Sequence, residues 1–279
     1  MIKIVTDSTS DIDVNSASQL QVDIVPLKVI MNGKEYKDRI DLQPNQFYEF
    51  LTQSEILPTT SQPSPQDFLE IYQSAKESGD DVIVITLSSQ LSGTYQSACI
   101  AKELAEYESI HIIDSCNATQ GLRIIIEKAV QLRNEGYTLE EIISKIEEYK
   151  TRVRIFGIVD TLEYLYKGGR LSKTTATMGT LLKFKPIVGL KDGSLELFSK
   201  ARGTQKAISK IIDIIKENGE IDIHEPVSIG YTGSNQNLDK FETILQEEFH
   251  FSQPLHGIVG PVIGTHAGPE AKLIAYVVK

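Results

Sequence analysis

Val82-Ile83-Val84-Ile85-Thr86 constrains this chain more than any other stretch. It is a short, unbroken apolar run rich in β-branched residues, which fits a strand covered on both faces in a parallel sheet. Small and hydroxylated residues follow it, Leu87-Ser88-Ser89-Gln90-Leu91-Ser92-Gly93-Thr94. A helical pattern then starts near Tyr95 and runs through Ala98, Ile100, Ala101 and Leu104. Strand, polar turn and helix in this order imply a wound α/β arrangement, in which ligands bind at the carboxyl ends of strands. Ser92 and Gly93 stand where a hydroxyl and an unobstructed backbone could meet a carboxylate or phosphate at a helix N-terminus. They would equally serve as an N-cap and a turn residue.

The same alternation extends on both sides. Met1 to Val5 reads as a first strand, followed by the loop Thr6-Asp7-Ser8-Thr9-Ser10-Asp11, whose side chains suit helix capping or the mouth of a site. Asp23 to Met31 reads as a second strand with an edge or bulge at Pro26, then an Asn32-Gly33 turn. Phe47, Phe50 and Leu51 share a helical face. Leu57 to Pro65 is a proline-stiffened loop that presents Thr60 and Ser61, and Ser64 caps the next helix. A strand at Ile110 to Ser115, a helix at Thr119 to Glu135, a capping box at Thr138/Glu141 and a strand at Ile155 to Val159 follow. Residues 1–157 are therefore expected to form a doubly wound α/β domain with a mostly parallel sheet.

Beyond this point the pattern changes. Two short runs flank Asp192-Gly193, a strong hairpin signal. Helices are expected at Gly203 to Glu217 and Phe241 to Phe249, with strands at Pro226 to Tyr231, His256 to Ile263 and Ala271 to Val278. Residues 158–279 are expected to form an α+β domain with an antiparallel sheet.

Several functional classes fit poorly. The 279-residue chain carries a formal net charge of -10 and no basic block, which argues against nucleic acid as a partner. No apolar run reaches the roughly 20 residues that span a bilayer. Met1-Ile2-Lys3-Ile4-Val5 leads straight into a strand, so no signal peptide is expected, and Cys99 and Cys116 are read as reduced thiols of a cytoplasmic protein. There is no GxSxG elbow, HExxH pair or GxxxxGK[ST] loop, and no metal-ligand spacing. His266 stands out within Gly264-Thr265-His266-Ala267-Gly268-Pro269, where glycine and proline suggest a loop tip that approaches something closely. Arg170 and Arg202 each lie beside glycine and offer a positive rim for an anion, or two solvated surface charges. Anion recognition fits these residues better than bond-making does.

Six motifs occur in order: Thr6-Asp7-Ser8, Thr60-Ser61-Gln62-Pro63-Ser64, Leu91-Ser92-Gly93-Thr94-Tyr95, Lys167-Gly168-Gly169-Arg170, Ala201-Arg202-Gly203 and Gly264-Thr265-His266. Together they resemble the DegV family, which includes the fatty-acid-binding subunits of bacterial fatty acid kinase. The resemblance covers essentially the whole chain. It implies a carrier without catalytic residues, cofactor or metal, which binds a long-chain fatty acid in a buried tunnel with the carboxyl group between two domains. Thr60 and Ser92 match the family's carboxylate-binding hydroxyls. Ser61 and the Gly93 backbone N–H would support them, and His266 matches a residue near the head group. A separate ATP-dependent kinase of the dihydroxyacetone-kinase type would phosphorylate the bound acid to an acyl phosphate for phospholipid synthesis. Arg170 and Arg202 match positions linked to the phosphate end and to kinase docking. Such a carrier needs no transmembrane segment and leaves room for transient membrane contact. Two other readings stay open: a stand-alone enzyme acting on a small phosphorylated or carboxylate metabolite, and a lipid-buffering protein without a kinase.

Overall fold

Residues Val82 to Thr86 form a strand because β-branched side chains suit a pleat buried on both faces. The computed structural model, which describes residues 1–171 and 184–279, sets that strand inside the parallel sheet, with all five residues fully buried. The chain begins with β1 (Ile2–Asp7), a single turn at Ser8–Ser10, α1 (Val14–Leu20) and β2 (Val22–Val25). A small insert follows, with β3 (Lys28–Met31), β4 (Lys34–Lys37), α2 (Pro44–Gln53) and β5 (Thr59–Ser61). The winding resumes with α3 (Pro65–Ser78), β6 (Asp81–Thr86), α4 (Thr94–Ala105), β7 (Ile110–Asp114), α5 (Thr119–Asn134) and α6 (Leu139–Tyr149). The remainder comprises β8 (Val153–Ile158), α7 (Glu163–Lys167), β9 (Lys185–Lys191), β10 (Ser194–Ala201), α8 (Thr204–Glu217), β11 (Ser228–Tyr231), α9 (Leu238–Phe249), β12 (Leu255–Ile258), α10 (Pro261–Ala267) and β13 (Lys272–Val277).

The first sheet has the order β2-β1-β6-β7 and is parallel throughout. The second has the order β10-β9-β8-β13-β11-β12; it is antiparallel except for the β11–β12 pair. Helices α3 and α4 cover one face of the first sheet. Helix α5 packs between the two sheets, where Ile124, Ile125 and Ile126 are all fully buried. Three consecutive buried positions widen its apolar face toward both sheets, while Arg123, Glu127, Gln131 and Asn134 keep one polar stripe along the helix. Helices α8 and α9 cover the outer face of the second sheet with Ile208, Ile211, Ile215, Phe241 and Leu245. The expected α/β class and the two kinds of sheet are both present.

Four boundaries differ from the sequence reading. The strand expected over His256 to Ile263 ends at Ile258, and Pro261 to Ile263 open α10, with proline at its first position. Strand β8 pairs with β9 and β13, so it belongs to the second sheet although the pattern grouped residues up to 157 with the first half. The single strand read from Asp23 to Met31 is two strands, because Pro26 has no N–H to donate and the chain passes there from one sheet to another. The stretch Thr59–Ser61, read as a loop, pairs with β3 as the edge of a three-stranded antiparallel sheet β4-β3-β5.

A buried ionic cluster ties these layers together. Asp7 accepts hydrogen bonds from the Leu87 N–H at 2.8 Å and the Thr9 N–H at 3.0 Å, which pins the end of β6 to the end of β1. Ser8 donates to Asp38 at 2.9 Å and accepts from the Leu27 N–H at 3.0 Å. Asp11 accepts from Arg39 at 3.0 Å, from the Gly260 N–H at 2.7 Å and from the Thr119 hydroxyl. Arg39 also donates to the Ile258 carbonyl at 2.5 Å. One cluster thus joins the first sheet, the insert, α5 and the chain entering α10.

Burial pushes the Asp38 carboxyl up to about 7, against the opposing pull of Arg39 and the Ser8 hydrogen bond. The Asp7 carboxyl is pushed up to about 6, again chiefly by burial. The unfolded chain releases these protons near pH 3.8, whereas the folded protein holds them to higher pH. The contribution of Asp38 to stability therefore falls as pH rises from about 4 to about 7 and is level above that. Asp38→Asn removes this loss. In urea unfolding the variant should gain on the native protein by a few kcal/mol across that window and hold a constant difference above it. A difference that stays flat, or shrinks with rising pH, would contradict the raised carboxyl.

Candidate functional site

A cavity of about 320 Å³ lies between the inner face of the second sheet and the loops at the carboxyl ends of the parallel strands. Its sheet wall is Ile155, Gly157 and Val159 of the β8 segment, Val188 and Leu190 of β9, and Leu273 of β13. Gly157 keeps the cavity open: in the β8–β9 register it sits opposite Val188, which shares that wall, and a Cβ there would crowd the Leu273 Cβ at 3.3 Å. Leu27, Leu87 and Leu91 close the side facing the first sheet, and Val262 and Ile263 of α10 lie across the top. Such a lining suits an apolar ligand body.

Polar groups collect along one wall. Thr60 and Ser61 come from the edge strand β5, Ser92 from the loop after β6, His266 from α10 and Arg170 from the turn after α7. The Thr60 hydroxyl lies 2.9 Å from His266 Nε2. Ser92 Oγ lies 2.9 Å from the Thr94 hydroxyl and accepts from the Thr94 N–H at 3.3 Å. It therefore lines the cavity while also ordering the start of α4; the N-cap position itself is Gly93.

His266 reaches this wall because α10 is seated very closely. The sequence read its surroundings as a loop, but they form a seven-residue helix with Pro261 at its first turn and Gly268 beyond its end at φ +74°. The close approach expected of the glycines is present. A Cβ on Gly264 would meet the Tyr48 hydroxyl at 2.5 Å, and one on Gly268 would meet the Tyr164 ring at 2.4 Å. On its other side the imidazole lies over Gly168, where a Cβ would come within 2.1 Å of His266 Nδ1. Nδ1 is buried and has no hydrogen-bond partner among the described residues. A buried orphan acceptor is less costly than a buried orphan N–H, so the proton belongs on Nε2 and is donated to Thr60. The Thr60 hydroxyl then keeps its own proton free to donate into the cavity. Burial, with Arg170 nearby, holds the His266 pKa down to about 4.

Arg170 is exposed and clamps two loops, donating to the Leu91 carbonyl at 3.1 Å and the Gly168 carbonyl at 2.6 Å. With Thr60 and His266 it also lines a second hollow of about 330 Å³, bordered by Leu57, Tyr164 and Lys167. These three residues are thus shared between the inner cavity and an outer depression.

Gly93 and Arg202 both lie outside the cavity wall, which departs from expectation for Gly93 alone. Gly93 does not line the cavity: the Gln62 carboxamide occupies the space beside its Cα, where a Cβ would come within 2.1 Å of Gln62 Oε1. Gln62 in turn donates to Ser97 at 2.9 Å, joining β5 to α4. Arg202 is exposed at the turn between β10 and α8 and is absent from the cavity wall. Gln62 also lines the cavity, and its place directly after Ser61 in the Thr60-to-Ser64 motif is the one sequence signal for it. Among the described residues no group of three or more His, Cys, Asp or Glu side chains could hold a metal ion, and no helix is long and apolar enough to cross a membrane.

The neutral His266 ring makes a direct prediction. Nitrogen chemical shifts of that ring should report a single Nε2–H tautomer with no titration between pH 5.5 and 8, roughly the range in which an ordinary imidazole changes charge. A midpoint near 6.5 would contradict the site geometry.

The sequence profile of the DegV family matches residues 1–279. A DegV domain-containing protein of Caldanaerobacter subterraneus subsp. tengcongensis is 40% identical over 270 residues, covering 97% of this chain and 96% of that one. A solved DegV family protein from Thermus thermophilus, described for its fatty acid binding, superposes with a TM-score of 0.90 at 32% identity, covering 99% of each chain. DegV of Bacillus subtilis, described as a fatty acid binding protein, superposes with a TM-score of 0.87 at 33% identity, covering 100% of this chain and 99% of that one. With the family profile matched over residues 1–279 and a solved DegV family protein superposed over 99% of each chain, the chain belongs to the DegV family.

Proposed function

We propose that this chain holds one long-chain fatty acid, with its tail in the cavity between the sheets and its carboxylate at Thr60, Ser61, Ser92 and His266. The observation that carries this reading is a largely apolar cavity of about 320 Å³ whose lining also holds Thr60, Ser61, Ser92 and His266, with Thr60 hydrogen-bonded to His266. A 16-carbon tail gains about 0.8 kcal/mol for each methylene buried, on the order of 10 kcal/mol gross. The head group then needs only a few hydrogen bonds to fix its orientation. Family relatives described as fatty-acid-binding support the same ligand class.

The polar wall also suits a carboxylate that must react later. Neutral hydroxyls and a neutral imidazole orient the anion without a tight counter-charge. A bidentate guanidinium pair would stabilise the ground state and oppose phosphorylation. Arg170 has two of its donors committed to backbone carbonyls, which tempers its hold on the acid. The protein acts in the cytoplasm as a non-catalytic subunit and presents the acid to a separate ATP-dependent kinase of the dihydroxyacetone-kinase type. A carboxylate oxygen attacks the γ-phosphorus, ADP leaves, and an acyl phosphate for phospholipid synthesis results. The outer hollow bordered by Thr60, His266 and Arg170 supplies the approach for the phosphoryl group. Arg170 meets the phosphate, and exposed Arg202 meets the kinase.

Native mass spectrometry tests the ligand. The purified protein should carry an extra mass in the range of a long-chain fatty acid, released only on unfolding. An unliganded mass that stays unchanged after incubation with palmitate would overturn the proposal. Thr60→Ala combined with Ser92→Ala should weaken palmitate binding by roughly 10- to 100-fold, as expected for two lost hydrogen bonds.

Cell extract passed over the immobilised protein tests the kinase. It should retain an ATP-dependent kinase, and acyl phosphate should form only when both are present. Retention of no kinase, with the fatty acid still bound, would leave a lipid buffer.

A further inference from the structure

Three residues of the buried cluster adopt left-handed backbone without being glycine: Asp11 at φ +58°, Arg39 at φ +60° and Thr119 at φ +49°. Each is uncommon, and Thr119 is β-branched, for which this region is a true outlier. All three are buried, and Asp11 bonds directly to each of the other two. Strain of this kind persists only where the surroundings over-determine it, and it gathers at functional sites. Thr119 also lines the cavity, although none of the three is a head-group residue.

The cluster grips three consecutive residues at the entry to α10. Arg39 donates to the Ile258 carbonyl at 2.5 Å, Tyr48 donates to the Val259 carbonyl at 2.9 Å, and the Gly260 N–H donates to Asp11 at 2.7 Å. Gly260 has no room for a side chain, because a Cβ there would lie 2.9 Å from Arg39 Nε and 3.1 Å from Asp11 Oδ1. Helix α10 then runs seven residues, and His266 lies near its far end, 2.9 Å from Thr60. At 1.5 Å per residue the lever is about 10 Å long, so a small rotation at its base moves the imidazole off its partner. Thr60 is referenced to the same cluster from the other side. It pairs with Val29 on β3, and the β3–β4 hairpin leads directly to Asp38 and Arg39.

We propose that Arg39, held by Asp11, is a positioning residue of the head-group site, aligning His266 on α10 with Thr60 on β5 so that the pair meets the carboxylate. The inference rests on the fatty-acid reading of the cavity and adds to it a residue remote from the ligand. Both bonds leave one terminal nitrogen, Arg39 Nη2, at the tip of the planar guanidinium. A lysine at position 39 keeps the charge, but its shorter, flexible stem does not hold a donor at that point. A merely structural Arg39 would lower stability and weaken all ligands alike.

The test compares palmitate with 1-hexadecanol, which has the same chain length without the carboxylate. Binding of both probes is measured for the native protein, Arg39→Lys, Tyr48→Phe and Lys128→Met. The last is a control that removes the Lys128–Glu225 ion pair, away from α10. Arg39→Lys should weaken palmitate at least tenfold and hexadecanol less than threefold. Its His266 ring should show both neutral tautomers instead of one. Tyr48→Phe loses only the Val259 bond and should lower the palmitate-to-hexadecanol ratio by about threefold. Lys128→Met should leave the ratio unchanged.

Equal weakening of both probes by Arg39→Lys, or an unchanged ratio, overturns the proposal. If Arg39→Lys does not fold, Tyr48→Phe decides, and an unchanged ratio there overturns it. Failure of the native protein to bind either probe overturns the fatty-acid reading itself, before any variant is considered.

Discussion

A buried arginine with carboxylates around it is the constraint on which the architecture rests. Arg39 bonds one carboxylate, Asp11, and one backbone carbonyl, while Asp38 leans on Ser8. Burying these charges is costly unless each is paired and hydrogen-bonded, so the elements that supply the partners cannot drift apart cheaply. Those elements are the end of β1, the insert, the start of α5 and the chain entering α10. Hydrophobic burial makes the two sheets and their helices cohere, but burial is nondirectional. The ionic cluster has direction. It specifies how the insert and α10 sit over the parallel sheet, and the cavity is the space left between them and the second sheet.

The division of labour around the cavity follows from this. The second sheet supplies a flat apolar floor, opened by Gly157. The ends of the parallel strands supply short loops rich in hydroxyls. The insert and α10 supply the Thr60–His266 pair. Because His266 is kept neutral by burial, the wall holds polar hydrogen-bonding capacity without a fixed positive charge at its centre. Arg170 stands at the edge, tied to two carbonyls, between the inner cavity and the outer hollow. This arrangement offers hydrogen bonds to an anion without a tight, desolvated counter-charge.

Much of this was legible in the chain. The β-branched run at Val82 to Thr86 determined a central parallel strand, since few other settings accept five consecutive buried residues of that kind. The hydroxyl-rich loop after it, the Thr60-Ser61 pair and the unusual His266 were each visible as departures from ordinary helix and strand pattern. Other features were not legible, because they arise between distant segments. Thr59 to Ser61 is a strand only because β3 offers an open edge. Strand β8 belongs to the second sheet because β13, more than a hundred residues later, pairs with it. Nothing local to Arg39, two residues beyond the β3–β4 hairpin, signals that Asp11 and Ile258 are its partners.

The sequence by itself determined the class of fold, most of the alternating elements, the family and the residue types of the cavity's polar lining, because periodicity and motif are local properties of the chain. The tertiary structure alone decided which of those residues meet. It brought Thr60 to His266, set Gln62 against Gly93, left Arg202 outside the cavity and put Arg39 on the Ile258 carbonyl ahead of α10. The physical reason is that hydrogen bonds and close glycine contacts depend on relative position to within a fraction of an ångström. Only the packing of the sheets, α5 and the buried ions sets that position.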